Sequence, residues 1–189
     1  MNVRDTASVL PVVAANDPVD RLASLFDVHH HRLYRLARRL AASADDALDL
    51  VQDTFLKAAR SVKSIPAGVK DEEAWLVRVL INTRRDQWRK ASVRDRHDRT
   101  VFQGSLSVRR AGDPEAPLIA RTAVWAALDS LPPRRRAIVV MYELEGVGIP
   151  QIASLLGISA VTVRWHLSMG RRALTGLLKA YLGDTNEKH

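Results

Sequence analysis

The sequence predicts an all-α protein of two small helical domains joined by an extended linker, the C-terminal domain containing a helix-turn-helix. Apolar residues recur at spacings of three and four over two long stretches, and no stretch alternates with the period of two that a half-buried strand needs. A polar segment carrying Pro114 and Pro117 divides them. With 189 residues and 47% hydrophobic content, the chain can form one mid-sized domain or two small ones with a genuine core.

Residues 1–19 contain a short apolar stretch around Val9 to Ala15, but Pro11 interrupts it and acids follow closely. They read as a flexible N-terminal tail, neither a signal peptide nor a membrane span. Residues 20–92 read as the first domain, with helices near 20–41, 44–61 and 71–91, and with Pro66 and Gly68 marking a loop. Ser43 stands as N-cap ahead of Asp45 and Asp46, whose charges suit the positive end of a helix dipole. In the second helix Ala47, Leu50, Val51, Thr54, Phe55 and Ala58 form the buried stripe, leaving Asp46, Asp49, Gln52, Asp53 and Lys57 outside. Periodicity favours a solvated helix surface for that acidic face; the other reading is a protein-docking surface.

The third helix begins apolar (Ala74, Trp75, Leu76, Val79, Leu80) and ends polar (Asn82, Arg84, Arg85, Gln87, Trp88, Arg89, Lys90). Trp75 reads as core, whereas Trp88 reads equally as core or as an aromatic interleaved with cations for stacking on unpaired bases. The formal charge is +8, and the segment 78–99 holds eight Lys or Arg against three Asp, more than half of that excess. A polyanionic partner is indicated by this clustering, which composition alone does not establish.

Residues 93–117 read as linker and 118–183 as the second domain, with helices near 118–131, 133–145, 149–156 and 159–182, followed by a tail over 184–189. Within IPQIASLLGISAVTVRWHLSMGRRAL, Ala153 is small enough for a close crossing, and Gly157 stands where the turn wants positive φ. Ile152, Leu156, Ile158 and Val163 fall on the inner face. Ser159 caps the second helix, which presents Thr162, Arg164, Trp165, His166 and Ser168, then Arg171 and Arg172. No acid occurs from Gly146 through Tyr181, so a phosphate backbone meets little repulsion. An ordinary helical hairpin shares this spacing, but spacing, apolar pattern and charge agree on DNA binding. Arg164 and His166 are the leading candidates for base edges. Trp165 reads either as a contact to sugar or base, or as folded back on the preceding helix.

No cysteine is present, which excludes disulfides and thiolate metal sites and suits a cytoplasmic location. His29, His30 and His31 are adjacent and point about 100° apart on a helix, so no metal site is expected. There is no Gly-rich phosphate loop, HExxH or carboxylate cluster over a basic site, so neither an enzyme nor a cofactor is expected.

Together the two blocks resemble the extracytoplasmic-function group of the sigma-70 family of bacterial RNA polymerase sigma factors. DALDLVQDTFLKA resembles the family's second conserved region, AWLVRVLINTRRDQWRK its minus-ten recognition helix, and the segment from Leu128 to Leu174 its fourth region. The resemblance implies an alternative sigma factor that binds core RNA polymerase and directs promoter-specific initiation. It implies polymerase docking through Asp46, Asp49, Gln52 and Asp53, on the coiled coil of the largest subunit. For the minus-ten element it implies Asn82 on a base, with Arg84, Arg85, Trp88, Arg89 and Lys90 alongside. For the minus-thirty-five element it implies Ser159, Thr162, Arg164, Trp165, His166, Ser168, Arg171 and Arg172. The implied partners are core polymerase, promoter DNA and an anti-sigma factor. The chain departs from the family in its aromatic-free loop over 61–72, the Arg134 to Arg136 run, Met169 and Gly170 where Arg and Ala are common, and the bulk of Trp165. The other reading is a stand-alone helix-turn-helix regulator.

Overall fold

A computed structural model describes residues 17–98 and 116–186. The N-terminal tail through residue 16, most of the linker (99–115) and the last three residues lie outside the described residues. Seven α-helices and no strand occur among the residues described. Helix α1 is Pro18–Leu40, α2 Ala44–Arg60 and α3 Val69–Asp98; α4 is Ala116–Asp129, α5 Pro133–Val139, α6 Ile149–Leu156 and α7 Ala160–Asn186. Helix α3 runs on through Asp98, beyond the end near 91 that periodicity indicates. Polar residues with good helix propensity continue a helix even where no apolar stripe remains to mark it.

Capping sets the boundaries. Asp17 accepts a bond from the Val19 amide at 2.9 Å with Pro18 at the first helical position, and Ser43 accepts from the Asp46 amide at 3.0 Å. All six residues of the α2 stripe are buried, and Thr54 satisfies its hydroxyl by donating to the Leu50 carbonyl at 2.7 Å. Leu25, Leu33, Leu36 and Leu40 of α1 meet that stripe, with Leu76, Val77 and Leu80 of α3 completing the core. Trp75 is only partly buried and packs against the edge of this core. The loop between α2 and α3 is strapped to α1, because Arg21 donates to the carbonyls of Ile65 (2.8 Å) and Pro66 (3.1 Å).

Expected as one helix over 133–145, the chain instead forms α5 and then a π-helical turn over Val140–Leu144, closed by the Glu145 amide on the Val140 carbonyl. Such wide turns re-aim the residues that follow. Here the turn points Glu145 at α1, where Arg32 donates to it at 2.6 Å while also holding Glu73 at 3.2 Å. Burial lowers the Arg32 pKa, but the bonds and charges of Glu145 and then Glu73 outweigh it and raise it overall.

The two blocks are packed on one another. Helix α3 contacts both α5 and α6, and α1 contacts α5. One apolar cluster runs from Leu25 through Leu80 into Ile138, Met141, Ile152 and Val163. Arg136, 3% exposed, crosses this seam: its Nε donates to the Arg39 carbonyl at 2.9 Å and its Nη1 binds Asp129. The Arg39 carbonyl lies in the last turn of α1, where helix carbonyls lack intrahelical partners.

Candidate functional site

The helix-turn-helix is α6 and α7, bent 106° from one another, within the range for this motif. Gly157 adopts φ +62, ψ 41 and ends α6, and the Ile158 amide returns to the Ala153 carbonyl at 3.0 Å. Ser159 caps α7 by accepting from the Thr162 amide at 3.1 Å, and its hydroxyl lies 2.8 Å from that of Thr162. Ile152, Leu156 and Val163 are buried and Ile158 packs against them. Arg164, Trp165, Ser168, Arg171 and Arg172 are exposed, while Thr162 and His166 are half-buried. Arg171 is engaged from behind, donating to Glu143 at 2.7 Å and lying over the Tyr142 ring.

Trp165 meets Arg135 of α5. It is 54% exposed, and the Arg135 guanidinium of α5 lies 5.6 Å above its ring centroid. His166 meets the indole edge-on at 4.8 Å. Desolvation first, then the charges of Arg135 and Arg134, lower the His166 pKa. The Arg134 to Arg136 run thus divides among three environments: Arg134 lines a small cavity, Arg135 covers Trp165 and Arg136 enters the seam.

On α2, Asp46, Asp49, Gln52 and Asp53 are all exposed on one face. Asp46 is drawn into the cap by the Ser43 hydroxyl at 2.7 Å, and Asp53 accepts from the Gln87 amide at 3.3 Å. Asp49 and Gln52 make no hydrogen bond or ion pair among the described residues. Leu48 (46% exposed) and Leu56 (56% exposed) share this outer surface. Sequence reasoning overlooked both, although leucines lying off the buried stripe were the available signal.

The minus-ten candidates on α3 are dispersed. Asn82 is turned into the seam, lining a small cavity with Arg78, Ile81, Arg134 and Leu156. Arg84 donates to the Leu40 carbonyl at 3.0 Å and so closes the end of α1. Arg85 lies 3.8 Å from Asp86, Trp88 is half-buried, and of this set only Arg89 and Lys90 are exposed. Among the described residues no group of three His, Cys, Asp or Glu is placed to share a metal ion. His29 is buried 3.4 Å from Glu72, and His30 stacks on Phe26.

Sequence comparison matches residues 25–94 to the family model for sigma-70 region 2 and residues 121–174 to that for sigma-70 region 4. The ECF RNA polymerase sigma factor SigM of Mycobacterium tuberculosis is 33% identical over 179 residues, covering 93% of this chain and 87% of SigM. The chain belongs to the extracytoplasmic-function group of the sigma-70 family. The SigE factor of Mycolicibacterium smegmatis is 34% identical over 168 residues, 83% of this chain but 61% of SigE. Among solved structures, the sigma factor RpoE of Bartonella quintana, crystallised with the anti-sigma factor NepR, superposes with a TM-score of 0.58 at 28% identity. That superposition covers 85% of this chain and 97% of RpoE. In this sigma factor α1 to α3 therefore form region 2 and α4 to α7 region 4, and the acidic face of α2 lies in the former.

Proposed function

We propose that this chain is a non-enzymatic, cytoplasmic alternative sigma factor that docks on core RNA polymerase through α2, reads the minus-thirty-five duplex with α7 and holds the melted minus-ten strand with α3. The proposed domain bounds are 20–92 and 118–183 with a linker over 93–117, into which α3 continues as far as Asp98. The observation that carries the reading is the outer face of α2, where two exposed leucines accompany exposed Asp49, Gln52 and Asp53 in a chain of net charge +8. In an otherwise basic chain, such an acidic, part-apolar face suits docking on a complementary basic protein surface. Asp49→Ala with Asp53→Ala in the full chain is expected to weaken core polymerase binding by about tenfold or more, as loss of two interface charges implies. Undiminished polymerase affinity would refute the assignment.

Minus-ten capture falls to Asn82 on a base, with Arg85, Trp88, Arg89 and Lys90 on the strand, where stacking contributes about 1 to 3 kcal/mol per base. Because Asn82 faces region 4 across the seam, the two regions must part before it meets DNA. An anti-sigma partner is inferred from the NepR complex of the similar RpoE.

A further inference from the structure

We propose that Trp165 is a specificity-determining residue that reads a thymine methyl group in the minus-thirty-five duplex, and that Arg135 is the positioning residue that sets its ring. The inference rests on the assignment of α7 to that duplex and adds the chemistry by which one position is read.

A large aromatic on the outer face of a recognition helix would ordinarily turn to cover apolar surface. Trp165 instead stays 54% exposed, with the Arg135 guanidinium over its ring. Helices α5 and α7 approach closely at Gly170, where an added Cβ would stand 2.5 Å from Val139 Cγ2 and 3.4 Å from Arg135 Cγ. The stem of Arg135 is thereby laid along α7, and its guanidinium reaches the indole at 5.6 Å. Arg135 makes no ion pair among the described residues, and its Nε is buried without a hydrogen-bond partner. The aromatic ring is therefore its main attachment, and the guanidinium lies over an indole that stays 54% exposed.

In a paired duplex the base faces are stacked and out of reach; the major groove offers edges. On those edges the one apolar group is the C5-methyl of thymine. An exposed indole under a guanidinium, next to Arg164 and in a stretch without acids from Gly146 through Tyr181, matches that group, whereas it has no hydrogen-bond acceptor for cytosine and no bidentate donor for guanine. His166, edge-on to the ring and uncharged beside Arg135, adds a neutral donor or acceptor and not a second cation.

The test uses the full chain assembled with core RNA polymerase. The holoenzyme selects minus-thirty-five elements from a random duplex library, and each thymine of the winner is replaced in turn by uracil, which keeps the base pair and removes only the methyl. At one thymine the wild-type chain is expected to lose about fourfold in affinity, the factor that transfer of one buried methyl implies. Trp165→Ala and Trp165→Gln are expected to bind the thymine and uracil duplexes equally. Arg135→Gln narrows the discrimination and Arg135→Lys restores part of it, a pattern that a purely structural arginine does not produce. Uracil without effect at every position, or an equal penalty in wild type and Trp165→Ala, overturns the proposal while leaving α7 as the duplex reader. Failure to enrich any duplex overturns that assignment as well.

Discussion

His166 is held uncharged by its surroundings: it is half-buried, and Arg134 and Arg135 oppose a proton. Its folded pKa lies below the ordinary value of 6.5, so between the two values the unfolded chain binds a proton that the folded chain does not. The contribution of neutral His166 to stability is complete above about pH 6.5 and is lost as pH falls through the depressed folded value. Thermal denaturation between pH 7 and pH 5 is expected to show a steeper fall in Tm for the wild type than for His166→Gln; parallel slopes would contradict this. The recognition-helix residues were legible individually, because cap, turn glycine and apolar spacing are local properties. Trp165 was not, since its environment is supplied by Arg135, thirty positions away in the chain.

At the scale of elements, the crossing of α5 and α7 depends on Gly170. A Cβ there meets a methyl of the Val139 side chain at 2.5 Å, and a β-branched residue on a buried helix has little freedom to yield. Gly170→Ala is therefore expected to destabilise the chain by about 1 to 3 kcal/mol despite the better helix propensity of alanine. A denaturant midpoint at or above that of the wild type would show the crossing to be slack. Most helix boundaries could be read from periodicity and caps, and the α2 stripe was identified residue for residue. The π-turn after α5 could not, because its sequence VMYEL carries an unbroken helical pattern. The turn brings Glu145 to Arg32 across the seam, a contact between positions 113 apart that no local pattern reports.

For the whole molecule, the Arg32 to Glu145 pair and Arg136 on the Arg39 carbonyl hold regions 2 and 4 together over a shared apolar cluster. Removing one partner of a largely buried charge pair leaves the other uncompensated, at a cost of about 3 to 5 kcal/mol when burial is complete and less here, where Arg32 keeps partial exposure and Glu73. Glu145→Ala is expected to shift the free protein toward separated regions, seen as a larger radius of gyration in small-angle scattering and stronger binding of single-stranded minus-ten DNA. An unchanged radius would show that the apolar cluster alone sets the closed arrangement. No single helix among the described residues is long and apolar enough to cross a membrane.

The sequence by itself determined the all-α class, the order of the helices, the helix-turn-helix with its Gly157 turn and Ser159 cap, and the acidic face of α2. These follow from spacing and from the preferences of single residues, which act over one or two turns. The tertiary structure decided which polar and charged side chains are available: Arg84 and Arg136 are consumed by orphan carbonyls at the end of α1, Asn82 faces region 4, and Arg135 is given to Trp165. Charge counted along the chain cannot foresee this. A guanidinium on a helix reaches either solvent or a neighbouring element, and which one it meets depends on packing between segments far apart in sequence.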